Sequence, residues 1–364
     1  MILHLIDDEK VTNKIIGLFE EALPNRNFFI CFPNDSYHTV KASDKIFIYH
    51  NDDNIPDLSL IDKVIIHYLH SKKAYFVDKF IDKKIPCYWS IWGGDLYNEI
   101  TFFRGHDIYY DKSRFSLKQR LSFVLNSCGL YHTYVPILDF IKRRISYFIT
   151  SSFEFEIAKK YIGKYINGTL IDCDLSYYSI DELLGPFLVN KKVSGNIILV
   201  GNSASYSNNH LYVLKYLSNI NIRNKTVVSP LSYGGDKRNT DKIISEGKKI
   251  FGNSFIALKD FLPLERYNNL MLQAEICVYG NWRQEAYGNI LIALYLGAKV
   301  YISQRSPLVA LFNRMGLHFF ILEKINQNDF LSPLDISKRQ KNREIIMGLF
   351  SKTNQLKIVR KYWG

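Results

Sequence analysis

Hydrophobic positions arrive in short β-branched or aromatic runs, separated by longer stretches where apolar residues recur every three or four positions. The runs at 2–6, 28–32, 46–49, 64–68, 87–91 and 147–150 read as buried strands, with amphipathic helices at 11–23 and 74–81. Uninterrupted apolar runs mark strands covered on both faces, and strand–helix alternation builds a parallel sheet flanked by helices. The alternation lapses over 174–194, where Gly185-Pro186 and Asn190-Lys191-Lys192 suggest a linker. It resumes with strands at 196–200, 226–229, 254–257, 276–279 and 299–302, and helices at 209–217, 240–250, 264–273 and 289–296. The expectation is an α/β protein of two Rossmann-like domains, 1–180 and 181–345. A basic, aromatic final segment (346–364) is expected to pack back on the first domain.

Composition adds two constraints. A chain of 364 residues and 42.5 kDa suits two domains with full cores. Its net charge of +12 and its 25 Tyr and 24 Phe point to a polyanionic partner: nucleic acid, an anionic membrane face or a phosphorylated substrate. The five cysteines (Cys31, Cys87, Cys128, Cys173, Cys277) never form a C-x-x-C pair, which favours reduced thiols and a cytoplasmic setting. MILHLIDDEK lacks the basic start and long apolar core of a signal peptide. The uncharged stretch 121–138 is too polar at Asn126, Ser127, His132, Thr133 and Pro136 to be expected in hydrocarbon.

In doubly wound sheets ligands bind beyond the carboxyl ends of strands, so the loops there hold the candidate chemistry. After the strand ending at Val200 comes Gly201-Asn202-Ser203, with Asn208 and His210 leading into a helix. Gly201 allows a tight turn, and the helix start offers N–H groups to a phosphate. This is neither G-x-G-x-x-G nor a P-loop. After Tyr279 lie Arg283, Gln284, Glu285, Gly288 and Asn289. Arg283 can pair with phosphate in bidentate fashion, Glu285 can accept sugar hydroxyls, and the following helix start can hold a second phosphate. The bland reading makes Arg283 and Glu285 a solvated pair of little consequence. A third loop, Trp92-Gly93-Gly94-Asp95, follows a strand of the first domain. Trp92 and Tyr97 offer stacking faces, and Asp95 is placed to orient or deprotonate a hydroxyl.

Other features are weaker. His67-x-x-His70 lacks a third ligand, and Asp172-x-Asp174 lacks the context of a metal–nucleotide pair, so no metal site is expected. Between 101 and 150, eight Lys/Arg (Arg104, Lys112, Arg114, Lys118, Arg120, Lys142, Arg143, Arg144) stand against three Asp among dense aromatics. That mixture suits an anionic leaflet or single-stranded nucleic acid, and equally a charged helix over a core.

Together IWGGDLY (91–97), LVGNSASYSNNH (199–210), VVSPLSY (227–233), LPLERYNNLMLQAEICVY (262–279) and RQEAYGNILIALYLGAKV (283–300) resemble one family. It is the bacterial TDP-N-acetylfucosamine:lipid II N-acetylfucosaminyltransferases of enterobacterial common antigen synthesis. The resemblance implies a GT-B fold, with two Rossmann-like domains facing a central cleft. It implies a nucleotide sugar (dTDP-linked) on the second domain, a prenyl-diphosphate-linked saccharide on the first, no cofactor and no metal. It also implies peripheral residence on the cytoplasmic face of the inner membrane, no nucleic acid, and a role in surface polysaccharide synthesis such as an O-antigen. By motif, Gly201, Asn202, Ser203 and Asn208 line the diphosphate or sugar site. Tyr233, Tyr267, Arg283, Gln284 and Gly288 complete donor binding. Asp95 is then the candidate base for an inverting reaction; for a retaining one, Asp95 and His67 position substrates. The match thins between 104 and 145, and Glu285 stands where the family carries an amide. The alternatives are a basic nucleic-acid-binding protein and a sugar-nucleotide epimerase of related fold.

Overall fold

The computed structural model describes residues 1–34, 39–130, 134–173 and 175–364. The chain divides into two compact units: 1–106 with 121–179 and 352–364, and 107–120 with 180–351.

The first unit contains β1 (Ile2–Asp7), α1 (Thr12–Ala22), β2 (Asn27–Phe32), β3 (Ile46–Ile48), β4 (Lys63–His67), α2 (Ser71–Phe80) and β5 (Cys87–Ser90). α3 (Leu117–Ser127) crosses the division at 120; α4 (Ile137–Arg144), β6 (Ile145–Thr150), α5 (Ser152–Ile162) and β7 (Thr169–Asp172) follow. The seven strands are all parallel, in the order β3-β2-β1-β4-β5-β6-β7. β1 is buried over five of its six residues because helices cover both faces, which explains its unbroken ILHLI pattern.

The second unit contains α6 (Ile180–Leu188), β8 (Ile197–Val200), α7 (His210–Leu217), β9 (Thr226–Pro230), α8 (Lys237–Phe251), β10 (Phe255–Leu258) and α9 (Leu264–Gln273). It continues with β11 (Ala274–Tyr279), α10 (Tyr287–Leu296), β12 (Lys299–Ile302), α11 (Leu308–Met315), β13 (Phe320–Ile321), α12 (Gln327–Phe330) and α13 (Ile336–Phe350). Its parallel sheet has the order β10-β9-β8-β11-β12-β13. α14 (Lys352–Trp363) belongs to the first unit, where Leu356, Val359 and Trp363 join α1 in one apolar cluster; the Phe19 and Trp363 rings lie 5.7 Å apart. Burying two such rings contributes roughly 2–3 kcal/mol each.

The observed division differs from the expected boundaries in two places. Residues 107–120 join the second unit, since Tyr110 donates its backbone N–H to Asn209 Oδ1 at 2.9 Å and packs its ring 5.2 Å from Tyr212. The later boundary falls at 351 and not 345, because α13 runs unbroken to Phe350, whose ring meets Tyr287 at 5.8 Å. The stretch expected as a linker is docked: α6 bends at Gly185, and Val189 O accepts from Tyr295 Oη and Arg343 Nη2. Two edge strands escaped the pattern: β7, where Thr169 and Asp172 leave only Leu170 and Ile171 apolar, and β13, which is two residues long.

Candidate functional site

A doubly wound sheet opens a crevice where consecutive strands run off in opposite directions. In the second unit that switch lies between β8, which leads to β9 on one side, and β11, which leads to β12 on the other. Both loops that carry sequence candidates leave these two strands.

The turn after β8 is built on a steric requirement. Gly201 has φ +68°, and a Cβ there would sit 2.7 Å from His210 Nε2 and 2.9 Å from Asn208 Oδ1. Asn208 Oδ1 accepts the Asn202 N–H at 3.1 Å, while its Nδ2 donates to Ser203 Oγ (3.1 Å) and Glu285 Oε1 (3.3 Å). Asn281 Nδ2 donates to Glu285 Oε2 at 2.9 Å, and Arg283 Nη2 lies 3.2 Å from Glu285 Oε1. The two loops are thereby stitched together through Asn208 and Glu285. The Arg283–Glu285 pair, with side chains 11% and 13% exposed, is not the solvated pair of the bland reading. Glu285, expected to accept sugar hydroxyls, already holds three donors and serves first as a brace; a carboxylate of about four lone-pair sites keeps one.

Around this brace the structure leaves buried polar atoms unpaired. Asn202 Oδ1, Asn281 Oδ1, Arg283 Nε and both ring nitrogens of His210 are buried with no hydrogen-bond partner among the described residues. Burial in a site without a counter-charge lowers the His210 pKa to about 4, so the ring is neutral. Buried polar groups in folded proteins are nearly always paired, so such a concentration marks a place built for a polar ligand. α10 begins beside it after Ala286, at φ +60°, and no side chain caps it. Its first N–H groups suit an anion. A Cβ on Gly288 would make ordinary van der Waals contact with Leu183, at 3.6 Å. Tyr267 Oη donates to Asn289 Oδ1 at 2.8 Å, and half-exposed Tyr233 lies 3.5 Å from Asn202 Nδ2 through its hydroxyl. Gln284 is half-buried on the same loop.

The first unit's switch lies between β1 and β4. Here the structure corrects both proposed catalytic residues. Asp95 is wholly buried: Oδ2 accepts from Leu69 N (3.0 Å) and Trp89 Nε1 (2.7 Å), and Oδ1 from Trp92 N and Leu96 N (3.0 Å each). Burial pushes its pKa up against the opposing pull of those donors, and four N–H groups leave no acceptor for a carboxyl proton. Asp95 is the internal anchor of the 92–96 turn and not a base open to substrate. His67 is equally enclosed. Asn27 Nδ2 donates to Leu23 O and Phe19 O, which turns its Oδ1 toward His4. A directed chain follows: His4 Nε2–H donates to Asn27 Oδ1 (3.1 Å), His67 Nε2–H to His4 Nδ1 (3.0 Å), and Tyr177 Oη to His67 Nδ1 (2.8 Å). Burial first, then the charges of its neighbours, drives the His67 pKa far down, so the ring stays neutral, and both of its nitrogens are taken up by the chain.

Tyr97 is wholly buried, so it offers no stacking face, whereas Trp92 keeps a partly exposed ring among Tyr68 and Tyr177. Gly93 turns at φ +89°, and a Cβ on Gly94 would fall 3.0 Å from the Tyr68 ring. Of the D-x-D pair, Asp172 accepts the Ser152 N–H at 3.1 Å, and Asp174 lies outside the described residues, as do His132 and Thr133 of the uncharged stretch.

Sequence reasoning missed what stands at this switch. Asp7 ends β1, and its Oδ2 meets Lys73 Nζ at 2.6 Å while its Oδ1 meets His70 Nε2 at 2.9 Å. Burial alone would raise Asp7, but Lys73 and His70 overcome it and hold the carboxyl below its ordinary range. The signal was present in Asp7-Asp8 at the end of the first strand, a position that topology makes functional.

Solved structures share this architecture throughout. A glycosyltransferase from Rickettsia africae matches at a TM-score of 0.60 and 12% identity, over 98% of this chain and 95% of its own. The sucrose-phosphate synthase of Thermosynechococcus elongatus matches at 0.60 and 11%, over 100% and 98%. The fold is GT-B. HepE of Anabaena, solved with UDP and glucose, shares the GT-B fold at a TM-score of 0.56 and 12% identity, over 99% of this chain and 98% of its own. Residues 184–341 match the family model of the 4-alpha-L-fucosyltransferases of glycosyltransferase group 56. That span holds the whole β8/β11 switch. The likeness to these structures is one of fold, and the family match is confined to the second unit.

Proposed function

We propose that the protein transfers a deoxyamino sugar of the 4-acetamido-4,6-dideoxyhexose type from a dTDP-sugar to a prenyl-diphosphate-linked oligosaccharide in surface polysaccharide synthesis. The observation that carries this reading is the set of orphaned buried polar atoms between the loops of β8 and β11, beside the uncapped start of α10. The leaving diphosphate needs stabilisation as negative charge develops on it. Arg283 and the α10 N-terminus supply it electrostatically, with no metal required. Asn202, Asn281 and His210 find partners on the nucleotide sugar. HepE, bound to UDP and glucose, supports a nucleotide sugar as the donor class.

The acceptor belongs to the first unit and its lipid to a membrane. α3 supports the second point: Leu117, Leu121 and Val124 share one face and are 82%, 60% and 53% exposed, with Lys118 and Arg120 on the same helix. An apolar face beside cations suits an anionic leaflet, which supports peripheral residence on the cytoplasmic face of the inner membrane as part of this reading. Several other cations of the 101–150 region are spent internally. Arg144 is buried on Ile81 O and Asp82 O, Arg143 pairs with Asp78, and Lys112 pairs with Asp107. That weakens a nucleic-acid role.

Thermal shift with dTDP, UDP and GDP, followed by transfer to a prenyl-diphosphate saccharide, tests the reading. We expect dTDP to stabilise the protein, and Arg283→Ala to lower dTDP affinity ~10- to 100-fold, the size of a charged hydrogen bond. Stabilisation by no nucleoside diphosphate would refute the proposal. Donor turnover without any lipid acceptor would turn it toward an epimerase.

A further inference from the structure

We propose that His70, oriented by Asp7, is the general base that takes the proton from the acceptor hydroxyl. The inference rests on the glycosyltransferase reading and gives the first unit its part in the chemistry. His70 immediately precedes α2, past the end of β4, and Asp7 ends β1, so the pair spans the two strands of the switch. Nε2–H donates to Asp7 Oδ1 at 2.9 Å, which fixes the tautomer and leaves Nδ1 with its lone pair. Among the described residues Nδ1 has no hydrogen-bond partner, it is not one of the buried orphan atoms, and the side chain is 26% exposed.

Charged groups surround the imidazole and hold its partner in place. Asp7 is its direct partner, and Glu9 adds a second carboxylate within electrostatic reach. Lys73, wholly buried, pairs with Asp7 Oδ2 and donates to His67 O and Tyr68 O. It keeps Asp7 ionised, so Asp7 is too weak a base to take the proton itself. Tyr68, between His67 and His70, sits at φ +61°, a strained position for a side chain of its size and one that clusters at functional sites. Beside the pair lies a cavity of about 470 Å³ lined by Phe32, Tyr49, His50, Ser71, Lys72 and Tyr75. Ser71 follows His70 directly, and the Phe32 ring meets the His70 ring edge-on at 5.8 Å. Aromatic walls with a cation suit a saccharide carrying a diphosphate.

In the step, the acceptor O–H bond breaks and its proton passes to His70 Nδ1. The freed oxygen bonds to the anomeric carbon of the donor. The bond from that carbon to phosphate oxygen breaks, and its electron pair leaves with the nucleoside diphosphate. One displacement inverts the anomeric configuration.

The test uses the full-length protein, a dTDP-4-acetamido-4,6-dideoxyhexose and a short-prenyl diphosphate disaccharide. His70→Ala removes no helix-cap bond, since the His70 side chain makes none. We expect its kcat to fall ~10²- to 10⁴-fold, the usual worth of a general base. Nucleoside-diphosphate stabilisation and the melting temperature should remain, added imidazole should restore part of the rate, and NMR should find the product inverted. Transfer by His70→Ala within threefold of wild type, or a product with the donor's configuration, would overturn the proposal. A wild-type protein that binds no nucleoside diphosphate and transfers nothing would overturn the transferase reading itself, and this inference with it.

Discussion

Asp95→Asn separates an anchor from a catalyst at a single atom. The carboxylate accepts two N–H donors on each oxygen while wholly buried. An asparagine keeps one oxygen and presents an NH2 group to the other two donors, so two N–H groups lose their acceptor. At about 1–3 kcal/mol for each unsatisfied buried group, the cost is about 2–6 kcal/mol, with relief of the buried charge pulling toward the lower end. In a unit of about 180 residues that lowers the melting temperature by roughly 5–20 °C. Scanning calorimetry together with urea denaturation reads it. Activity at a temperature where the variant stays folded should be reduced only modestly. A variant that melts like wild type but has lost transfer would refute the reasoning and return Asp95 to the reacting centre.

The remaining predictions use the same geometry. Gly201→Ala forces a Cβ against His210 and Asn208 at a positive φ, so it should destabilise the second unit by about 1–3 kcal/mol and abolish stabilisation by dTDP, read by thermal shift. Burial lowers His4 to about 3 and His210 to about 4, so the folded rings stay neutral while the unfolded ones protonate near 6.5. Stability should be full above that pH and decline as pH falls toward the folded values, by about 1.4 kcal/mol per pH unit for each ring. Urea midpoints at pH 7.5, 6 and 5 measure it, and a flat profile counts against neutral buried rings. Tyr75→Ala removes a half-exposed wall of the first unit's cavity and should raise the acceptor KM roughly three- to tenfold with dTDP affinity unchanged.

The sheets were legible because a strand buried on both faces must be written as an unbroken apolar run. β1, β4, β8 and β11 all show it. β7 escaped because only Leu170 and Ile171 between Thr169 and Asp172 are apolar, and β13 because it is two residues long. The loops after β8 and β11 were legible for a related reason: Gly201 and the polar residues around Arg283 are local necessities of a turn and of a helix start. The role of Asp95 was not legible. G-G-D reads alike whether the carboxylate faces a ligand or its own turn, and only the four converging N–H groups decide. His67 misled in the same way, since its partners His4 and Tyr177 lie 63 and 110 residues away in the chain. Asp7 and Lys73 escaped, and His70 entered only as half of a candidate metal pair, because strand order, which brings β1 beside β4, is not written in either segment.

The central claim is that a nucleotide sugar's diphosphate binds at the β8/β11 switch. Hydrogen exchange with and without saturating dTDP tests it most directly. The account predicts slowed exchange in loops 201–209 and 280–289 and in the first turn of α10, with little change at 92–96. Protection confined to the first unit, or absent at saturating dTDP, would contradict it.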